Sequence, residues 1–188
     1  MADYVTDGKI GIDLTATYAS TSAGSIIPWP ARPGDRVHTN NNGCYMFARA
    51  QSDISQFACV VFGSFADSAV SSDSTRMPTV AAVPMTTTNA VVGGVGGDGM
   101  VGIAQTSIAS SYYGWIALNG SALRVNTLVA CQPKVPLYTT STAGSLDDAT
   151  VSSGYVSGIT INTSATSASA PWCVANWPKI IHAQTSST

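Results

Sequence analysis

Residues 99–125 read GMVGIAQTSIASSYYGWIALNGSALRV, and we interpret this stretch as the centre of the fold. Three apolar runs in it have the length of β-strands and are separated by short polar links. Asn119-Gly120 stands between the last two runs, and this pair favours a two-residue hairpin because a type I′ turn needs positive φ at both positions. The stretch therefore predicts a central β-hairpin, with Trp115 on one of its strands as a core anchor.

The composition extends this prediction to the whole chain. The 188 residues contain no glutamate, and charged residues make up 10%, against about 25% in an average domain. Good helix formers are therefore scarce apart from alanine, whereas Val, Ile, Thr, Tyr and Gly, which favour strands and turns, are plentiful. We predict a mainly β protein with a single β-barrel or β-sandwich-like domain.

The chain divides into three predicted segments. Residues 35–163 hold most of the strand-like runs and form the predicted β domain. Residues 1–34 form a predicted extended arm, because Pro28-Trp29-Pro30 cannot supply the backbone donors that a central strand needs. Residues 164–188 form a predicted C-terminal docking tail, since WCVANWPKIIHAQ follows a Ser/Ala linker, is apolar and holds two tryptophans.

Charge and hydropathy argue against several classes of partner. The net charge is −2 and the eight basic residues are scattered, so no basic stripe predicts nucleic-acid binding. No apolar run reaches the roughly 18 residues of a transmembrane helix, so we expect no membrane partner. The first residues, MADYVTDGKIGIDL, lack the basic start and apolar core of a secretory signal, which predicts synthesis in a cytoplasm.

The four cysteines, Cys44, Cys59, Cys131 and Cys173, do not predict a metal centre. None stands in a C-x-x-C pair, and the chain has two histidines as further ligands. We interpret the cysteines as buried thiols. A Cys44–Cys59 disulfide stays open if their strands pair, although cytoplasmic synthesis argues against it.

Two short motifs are compatible with ligand binding but have simpler interpretations. Residues 94–99, GVGGDG, satisfy G-x-G-x-x-G, yet a nucleotide site needs a helix directly afterwards and a carboxylate about 20 residues further on. A strand-like run follows instead, so we interpret the motif as a loop. Asp147-Asp148 is the only adjacent acid pair; it favours turn capping, with a metal site as the alternative.

Catalysis and glycan binding are the remaining chemical alternatives. The histidines are His38 and His182, and no serine stands in G-x-S-x-G, so we expect no enzyme, no cofactor and no metal. Aromatic side chains can stack on sugars, and packing in the core or at a subunit interface is the competing interpretation. The candidates for both are Trp29, Trp115, Trp172, Trp177, Tyr112 and Tyr113.

A short internal repeat links the central stretch to the region before it. Residues 50–55, AQSDIS, resemble residues 104–109, AQTSIA. In each case an apolar strand precedes the repeat and an aromatic-containing strand follows it. The repeat predicts a strand–turn–strand unit that is used twice, and a chance match of six residues is the alternative.

Three stretches within residues 33–163 share a pattern with a known type of protein. They are DRVHTNNNGCYMFARAQSDISQFACVV, VGIAQTSIASSYYGWIALNG and VPLYTTSTAGSLDDATVSSGYVSGITINT. The matching residues are Gly102, Ala104, Gln105, Gly114, Trp115, Gly120, Leu137, Tyr138, Ala143, Gly144, Leu146 and Asp147. Together the stretches resemble small structural proteins that are encoded beside the capsid genes of tailed phages, particularly phages of marine and cyanobacterial hosts.

The resemblance implies a head decoration (cement) protein, made in the host cytoplasm and bound to the capsid exterior of a virion. Its implied partners are the major capsid protein and copies of itself, with a trimer favoured over a dimer. The arm and the tail lie outside the resemblance and are the expected subunit or capsid contacts, through Ile26, Ile27, Trp29, Trp172, Trp177, Ile180 and Ile181. The alternative is a phage fibre or receptor-binding module that contacts host glycans through Trp and Tyr.

Overall fold

A computed structural model describes residues 12–19, 31–65, 79–91, 99–150, 155–165 and 167–181. These residues hold ten strands and a five-residue helix, which confirms the prediction of a mainly β protein. The strands are β1 Arg36–His38, β2 Cys44–Ala50, β3 Cys59–Phe65, β4 Thr79–Pro84, β5 Val101–Ala104, β6 Tyr113–Arg124, β7 Leu137–Thr139, β8 Leu146–Asp147, β9 Tyr155–Ile161 and β10 Trp172–Ile181, and the helix is α1 Thr87–Val91.

Five of the strands close into a barrel. Their order around the barrel is β2, β4, β3, β5 and β6, and β6 pairs back onto β2 to complete the ring. The β2–β4 contact is parallel and the other four contacts are antiparallel. Of the two architectures predicted from the sequence, the structure therefore has the barrel.

Alanine, aliphatic side chains, Met46 and Phe62 fill the barrel interior. Because side chains alternate across a strand, every second residue of the five strands points inward. Glycines stand where the filling is tightest: a Cβ at Gly102 would lie 2.6 Å from Ile116 Cγ2, and a Cβ at Gly114 would lie 2.7 Å from Ile108 Cδ1. The interior cluster comprises Met46, Ala48, Ala50, Ile54, Ala58, Val60, Phe62, Ala82, Ala104, Ile108, Ile116 and Leu118.

A second layer, which we call the outer sheet, covers one side of the barrel. β6 is 12 residues long, and its second half leaves the ring to pair with β10, which is followed by β9, β7 and β8. Apolar side chains on the outer wall of the barrel pack against the inner face of this sheet. This second core cluster includes Cys59, Val61, Ile103 and Trp115 from the barrel, and Leu137, Leu146, Val156, Ile161, Cys173 and Ile180 from the outer sheet.

The hairpin predicted at Asn119-Gly120 is wrong, because β6 runs through these residues without reversing. Asn119 lies where β6 changes partner, opposite Cys44 of β2 and Asn176 of β10. Its side-chain amide donates a 2.7 Å hydrogen bond to the Asn42 carbonyl. Pairing with two different strands overrides the local turn preference, and the Asn-Gly pair marks the point at which the strand leaves the barrel.

Local hydrogen bonds define the turn before β2 and the start of the helix. Thr39 N–H bonds to the Gly43 carbonyl at 2.9 Å, which closes the turn that joins β1 to β2. Thr86 and Asn89 exchange side-chain-to-backbone hydrogen bonds of 2.6 and 3.2 Å, which is a reciprocal helix cap.

The internal repeat corresponds to a pseudo-two-fold relation within the barrel, with an offset of 54 positions from Ala50 to Ala104. Ile54 and Ile108 exchange two backbone hydrogen bonds of 2.9 Å across the end of the barrel. Equivalent bonds of 2.7 Å run from Phe57 N–H to the Ala104 carbonyl and from Ser111 N–H to the Ala50 carbonyl. The β3–β5 pairs Cys59–Ile103, Val60–Gly102 and Val61–Val101 correspond to the β6–β2 pairs Tyr113–Arg49, Gly114–Ala48 and Trp115–Phe47.

Parts of the predicted arm and tail lie against or within the β structure. Tyr18 and Tyr113 exchange two backbone hydrogen bonds, of 2.9 and 2.8 Å, and the Tyr18 ring meets Phe47 edge-on. Residues 172–181 form β10 rather than a separate tail, because alternating inward and outward side chains let them pair with β6 and β9. Residues 1–11, 20–30 and 182–188 lie outside the described residues.

Candidate interaction surface

Exposed apolar side chains concentrate on the outward side of β10. Among the described residues, Trp172 is 55% exposed, Ile181 43%, Trp177 39% and Val174 37%. Tyr155 of β9 pairs with Ile181 and is 39% exposed. The two other large apolar side chains of comparable exposure, Tyr112 and Val129, lie on neither strand. We call the five side chains on β10 and β9, with the two arginines that stack on the tryptophans, the β10 face.

The local sequence sets the orientation of this strand. Within WCVANWPKII, the smaller residues Cys173 and Ala175, together with Ile180, are buried in the second core cluster. Exposed side chains alternate with these buried ones, except at Asn176 and Trp177, which are both exposed. The strand therefore presents both tryptophans to solvent.

A stack of planar groups holds Trp172. The guanidinium carbon of Arg124 lies 5.8 Å from the centre of the Trp172 ring and 4.7 Å from the centre of the Phe57 ring. Arg124 Nε donates a 2.7 Å hydrogen bond to the Ala170 carbonyl, and the Arg124 backbone bonds in both directions to the Gln105 side chain. Cation–π stacking and these hydrogen bonds together fix the guanidinium, so the indole is oriented before any partner binds.

Trp177 projects from a β-bulge. Three residues of β10, 176–178, oppose the single Gly158 of β9. Trp177 has a φ of 47°, and a Cβ at Gly158 would lie 2.6 Å from the Asn176 carbonyl oxygen. The guanidinium carbon of Arg36 lies 5.3 Å from the centre of the indole. Positive φ is unfavourable for a bulky residue, so the surrounding pairing holds Trp177 in a strained backbone.

The strands that form the β10 face carry positive charge and no carboxylate. Arg124 and Lys179 lie on β6 and β10, Arg36 stacks on Trp177, and the sequences of β6, β9 and β10 contain no acidic residue. The aspartates in the described part of the chain are Asp13, Asp35, Asp53, Asp147 and Asp148. A surface rich in carboxylates would complement the charge of this face.

The predicted contact residues lie in different environments. Trp172, Trp177 and Ile181 are exposed on the β10 face. Ile180 points to the opposite side of the strand and is buried in the second core cluster. Ile26, Ile27 and Trp29 lie outside the described residues.

Trp115 is completely buried between the barrel and the outer sheet. Its ring centre lies 5.0 Å from that of Phe47, and its Nε1 has no hydrogen-bond partner in the described structure. Tyr113 is buried as well, whereas its neighbour Tyr112 is exposed. A buried indole cannot stack on a sugar, so Trp115 is removed from the candidates for glycan binding.

Sequence reasoning did not identify Arg36, Arg124 or Phe57 as parts of this surface. They are distant in sequence from the tryptophans, and Arg124 meets Trp172 only because β6 pairs with β10. The available signal is that Arg124 is the one charged residue of β6. A lone arginine at the end of an apolar strand indicates a planar partner, but it does not indicate which one.

A second polar group lies where the loop after β6 meets β8. Cys131 Sγ and carboxylate oxygens of Asp147 and Asp148 lie within 4.8 Å of one another. Burial, followed by the negative charge of the two aspartates, raises the pKa of the Cys131 thiol to about 11. Asp148 accepts a 2.9 Å hydrogen bond from Gln132 N–H, and Asp147 accepts one of 2.9 Å from Asp148 N–H. These bonds are the turn capping that the acid pair predicts, whereas the link to Cys131 was missed.

The other chemical candidates are reported by position. The strand β5, not a helix, follows Gly99, so the G-x-G-x-x-G motif lacks the helix that holds a phosphate. His38 is exposed on β1, and His182 lies outside the described residues. Cys44 and Cys59 stand on strands that β4 separates, and all four cysteines are buried thiols. Within the described ranges, no helix has the length and apolar character needed to cross a membrane.

Comparison with known proteins gives one structural likeness. No protein-family model and no curated protein matches the chain. The chain is similar to a solved structure described as the crystal structure of head fiber gp8.5 N base in bacteriophage phi29. The identity is 11% and the TM-score is 0.47, over 73% of this chain and 98% of that chain. At this TM-score the likeness carries no argument about function.

Proposed function

We propose that this chain is a structural protein of a phage virion that decorates and stabilises the outer surface of the capsid. It acts through symmetric protein–protein contacts with the major capsid protein and with copies of itself, and it performs no catalysis. The observation that carries the proposal is the β10 face, an exposed aromatic and cationic surface on a body with two core clusters. The sequence resemblance to phage decoration proteins supplies the biological setting.

The residues that carry the resemblance mostly specify the fold. Trp115, Leu137 and Leu146 are fully buried. Gly102 and Gly114 make room inside the barrel, and Gly144 has a φ of 75° with a Cβ position 2.5 Å from Ala58 Cβ. The resemblance is therefore one of architecture, and it supports a structural role more than any particular contact.

The architecture suits a protein that must resist force on a shell. Closure of the five-stranded ring leaves none of its strands unpaired, and the outer sheet adds a second buried layer on one side. A stiff body with a preorganised contact face loses little conformational entropy when it binds. Because little free energy is needed to order the protein on binding, most of the binding free energy can stabilise the shell.

The composition of purified particles tests this proposal. We expect the protein on purified virions at a fixed molar ratio to the major capsid protein, with density outside the shell in electron micrographs. Particles that lack it should lose their DNA at lower temperature than complete particles. Detection in infected-cell lysate together with absence from purified particles would overturn the proposal.

Oligomerisation requires a separate measurement. We propose a homo-oligomer, with a trimer favoured over a dimer, because decoration proteins of the type that the sequence resembles occupy local symmetry positions of the shell. Mass photometry of the free protein, and the symmetry of its density on particles, would each identify the trimer. Single copies of the protein at positions without local symmetry would contradict it.

Glycan binding by a fibre or receptor-binding module is the second candidate. The exposed Trp172 favours it, because an indole that Arg124 holds in place can stack on a sugar ring. On a glycan array, this function predicts binding by the wild type that Trp172→Ala abolishes and Tyr112→Ala preserves. If the array shows no binding, and purified virions carry the protein at a fixed molar ratio to the major capsid protein, decoration is the function that remains.

A further inference from the structure

The β10 face has the composition of the centre of a protein–protein interface. Energetically important interface residues are enriched in Trp, Tyr and Arg and are poor in Asp and Glu. Trp172, Trp177 and Tyr155 are exposed here, and Arg124 and Arg36 stack on the two tryptophans. Scattered exposed apolar residues are normal on a protein surface, whereas these five lie on two paired strands.

The backbone at Trp177 provides a second, independent observation. Its φ of 47° is costly for a bulky side chain, and Gly158, with a φ of 81°, is the opposing residue that lets the bulge form. The indole nevertheless remains 39% exposed. Strained backbone that the surrounding structure holds in place concentrates at binding sites, so the strain at Trp177 supports a role in binding.

Charge selects the kind of partner. A guanidinium placed over an aromatic ring still has N–H groups to donate, and a carboxylate is an acceptor whose geometry matches them. Arg36, Arg124 and Lys179 make the face cationic, and none of β6, β9 and β10 contains an acid. Two copies of this chain that met through this same face would bring like charges together, which disfavours a two-fold contact here. A different protein with an acidic surface complements the charge, and contact with another side of a second copy is an outcome that the test below separates.

We propose that the β10 face is the surface by which this protein docks on a carboxylate-bearing patch of a different protein in the particle. Trp172 and Trp177 supply the apolar contact, and Arg36, Arg124 and Lys179 supply the charge. The proposal rests on the proposed virion function and specifies which side of the molecule meets the shell. The barrel wall opposite the outer sheet then faces away from the shell.

The test uses purified full-length protein added to particles that were assembled without it. Bound protein is measured by co-sedimentation for the wild type, Trp172→Ala, Trp177→Ala, Trp177→Gly and Arg36→Glu. Tyr112→Ala is the matched control, because Tyr112 is 40% exposed and lies outside the β10 face. Circular dichroism and thermal melting establish that each variant is folded. Trp177→Gly relaxes the backbone strain while it removes the indole, so it separates docking from stability.

We expect the two alanine variants and Trp177→Gly to bind at least about 10-fold more weakly, since interface tryptophans commonly contribute this much. Arg36→Glu should weaken binding by a similar factor, and wild-type binding should fall as salt rises. Tyr112→Ala should bind as the wild type does. A wild type that fails to bind would overturn the virion function itself.

Other results would overturn the inference while the virion function stands. One is a wild type that binds alongside folded tryptophan variants that bind equally well. Another is a loss of self-association in the tryptophan variants with particle binding unchanged, which would make the face a contact between copies. A third is inhibition of particle binding by neutral oligosaccharides, which would make the face a glycan site.

Discussion

The two strand–loop–strand units of the barrel, β2 with β3 and β5 with β6, share one pattern of backbone hydrogen bonds but differ in their surroundings. β5 and β6 pair directly with each other. In the first unit, β4 lies between β2 and β3, parallel to one and antiparallel to the other. The insertion of β4 opens the first unit, whereas the second unit continues beyond the barrel as the long end of β6.

Equivalent residues of the two units show what these departures do. Phe57 and Ser111 occupy equivalent positions and have φ values of 64° and 68°. In the second unit, a small serine occupies the position that requires positive φ. In the first unit, the same position holds the aromatic ring of Phe57. That ring stacks on Arg124, which stacks on Trp172. The shared pattern builds the barrel, and a departure from it supports the β10 face.

The largest expected effect is a difference in unfolding free energy between variants at two equivalent positions of the second core cluster. Val61 and Trp115 correspond to each other and are both buried there. Trp115→Ala should lower the free energy of unfolding by about 3–5 kcal/mol, and Val61→Ala by about 1.5–2 kcal/mol. Urea unfolding of both variants checks this difference. Equal losses would mean that the outer sheet does not depend on the tryptophan.

The end of the barrel should respond symmetrically. Ile54→Ala and Ile108→Ala remove equivalent buried side chains. The backbones of these two residues are hydrogen-bonded to each other. Each should cost about 2–5 kcal/mol, with the two losses equal within about 1 kcal/mol. In a double-mutant cycle the pair should be non-additive, because the two cavities merge. A clearly larger loss of unfolding free energy for one of the two variants would show that the pseudo-two-fold relation does not extend to stability.

Alkaline pH should weaken the side of the barrel that the outer sheet covers. Burial raises the pKa of Cys173 to about 12, and burial, then the neighbouring Cys173, raises the pKa of Cys59 well above 9.0. These thiols hold their protons more tightly in the folded state, so their stabilising effect is complete below pH 9 and falls as pH rises towards the folded pKa. The loss at pH 10 should be about 1.4 kcal/mol for Cys173, and Cys59 should add a loss of the same sign.

Unfolding measured at pH 8, 9 and 10 checks this slope. The double variant Cys59→Ala, Cys173→Ala should lose less stability than the wild type over this pH range, although it is less stable at pH 8. An unchanged slope in the double variant would show that other groups, such as tyrosines, cause the alkaline loss.

The smallest expected effect concerns Phe57 and Ser111, the equivalent residues with positive φ in the two units. Ser111→Gly should stabilise the protein by about 0.5–1 kcal/mol, because glycine adopts positive φ without strain. The hydrogen bond that Arg49 Nη2 donates to Ser111 Oγ is 3.4 Å long, so its loss should cost little. Phe57→Gly should show no gain, since it also removes the ring that supports Arg124. Thermal melting of both variants measures the difference.

The sequence predicted the parts of the fold that depend on local periodicity. The β character and the repeat at residues 50 and 104 both follow from patterns within a few residues. The Asn119-Gly120 hairpin failed because two partner strands, Cys44–Ala50 and Trp172–Ile181, hold that stretch extended. The turn preference of a single Asn-Gly pair is weaker than the pairing of a 12-residue strand with two partners.

The sequence predicted only part of the candidate surface. Two tryptophans in an apolar C-terminal stretch suggested contacts, and the structure places both on the β10 face. The alternation within β10 that buries Ile180 depends on a register that local sequence does not fix. The arginine stacks depend on pairing between distant strands, so no local pattern could reveal them.

The two ends of the sheet have a consequence for crowding. Among the described residues, the sheet outside the closed ring ends in β1 and β8, which are three and two residues long. Edges this short offer little unpaired backbone to a neighbouring chain, which disfavours the addition of strands at either end of the sheet. Contacts between copies packed at high local concentration would then be made by side chains.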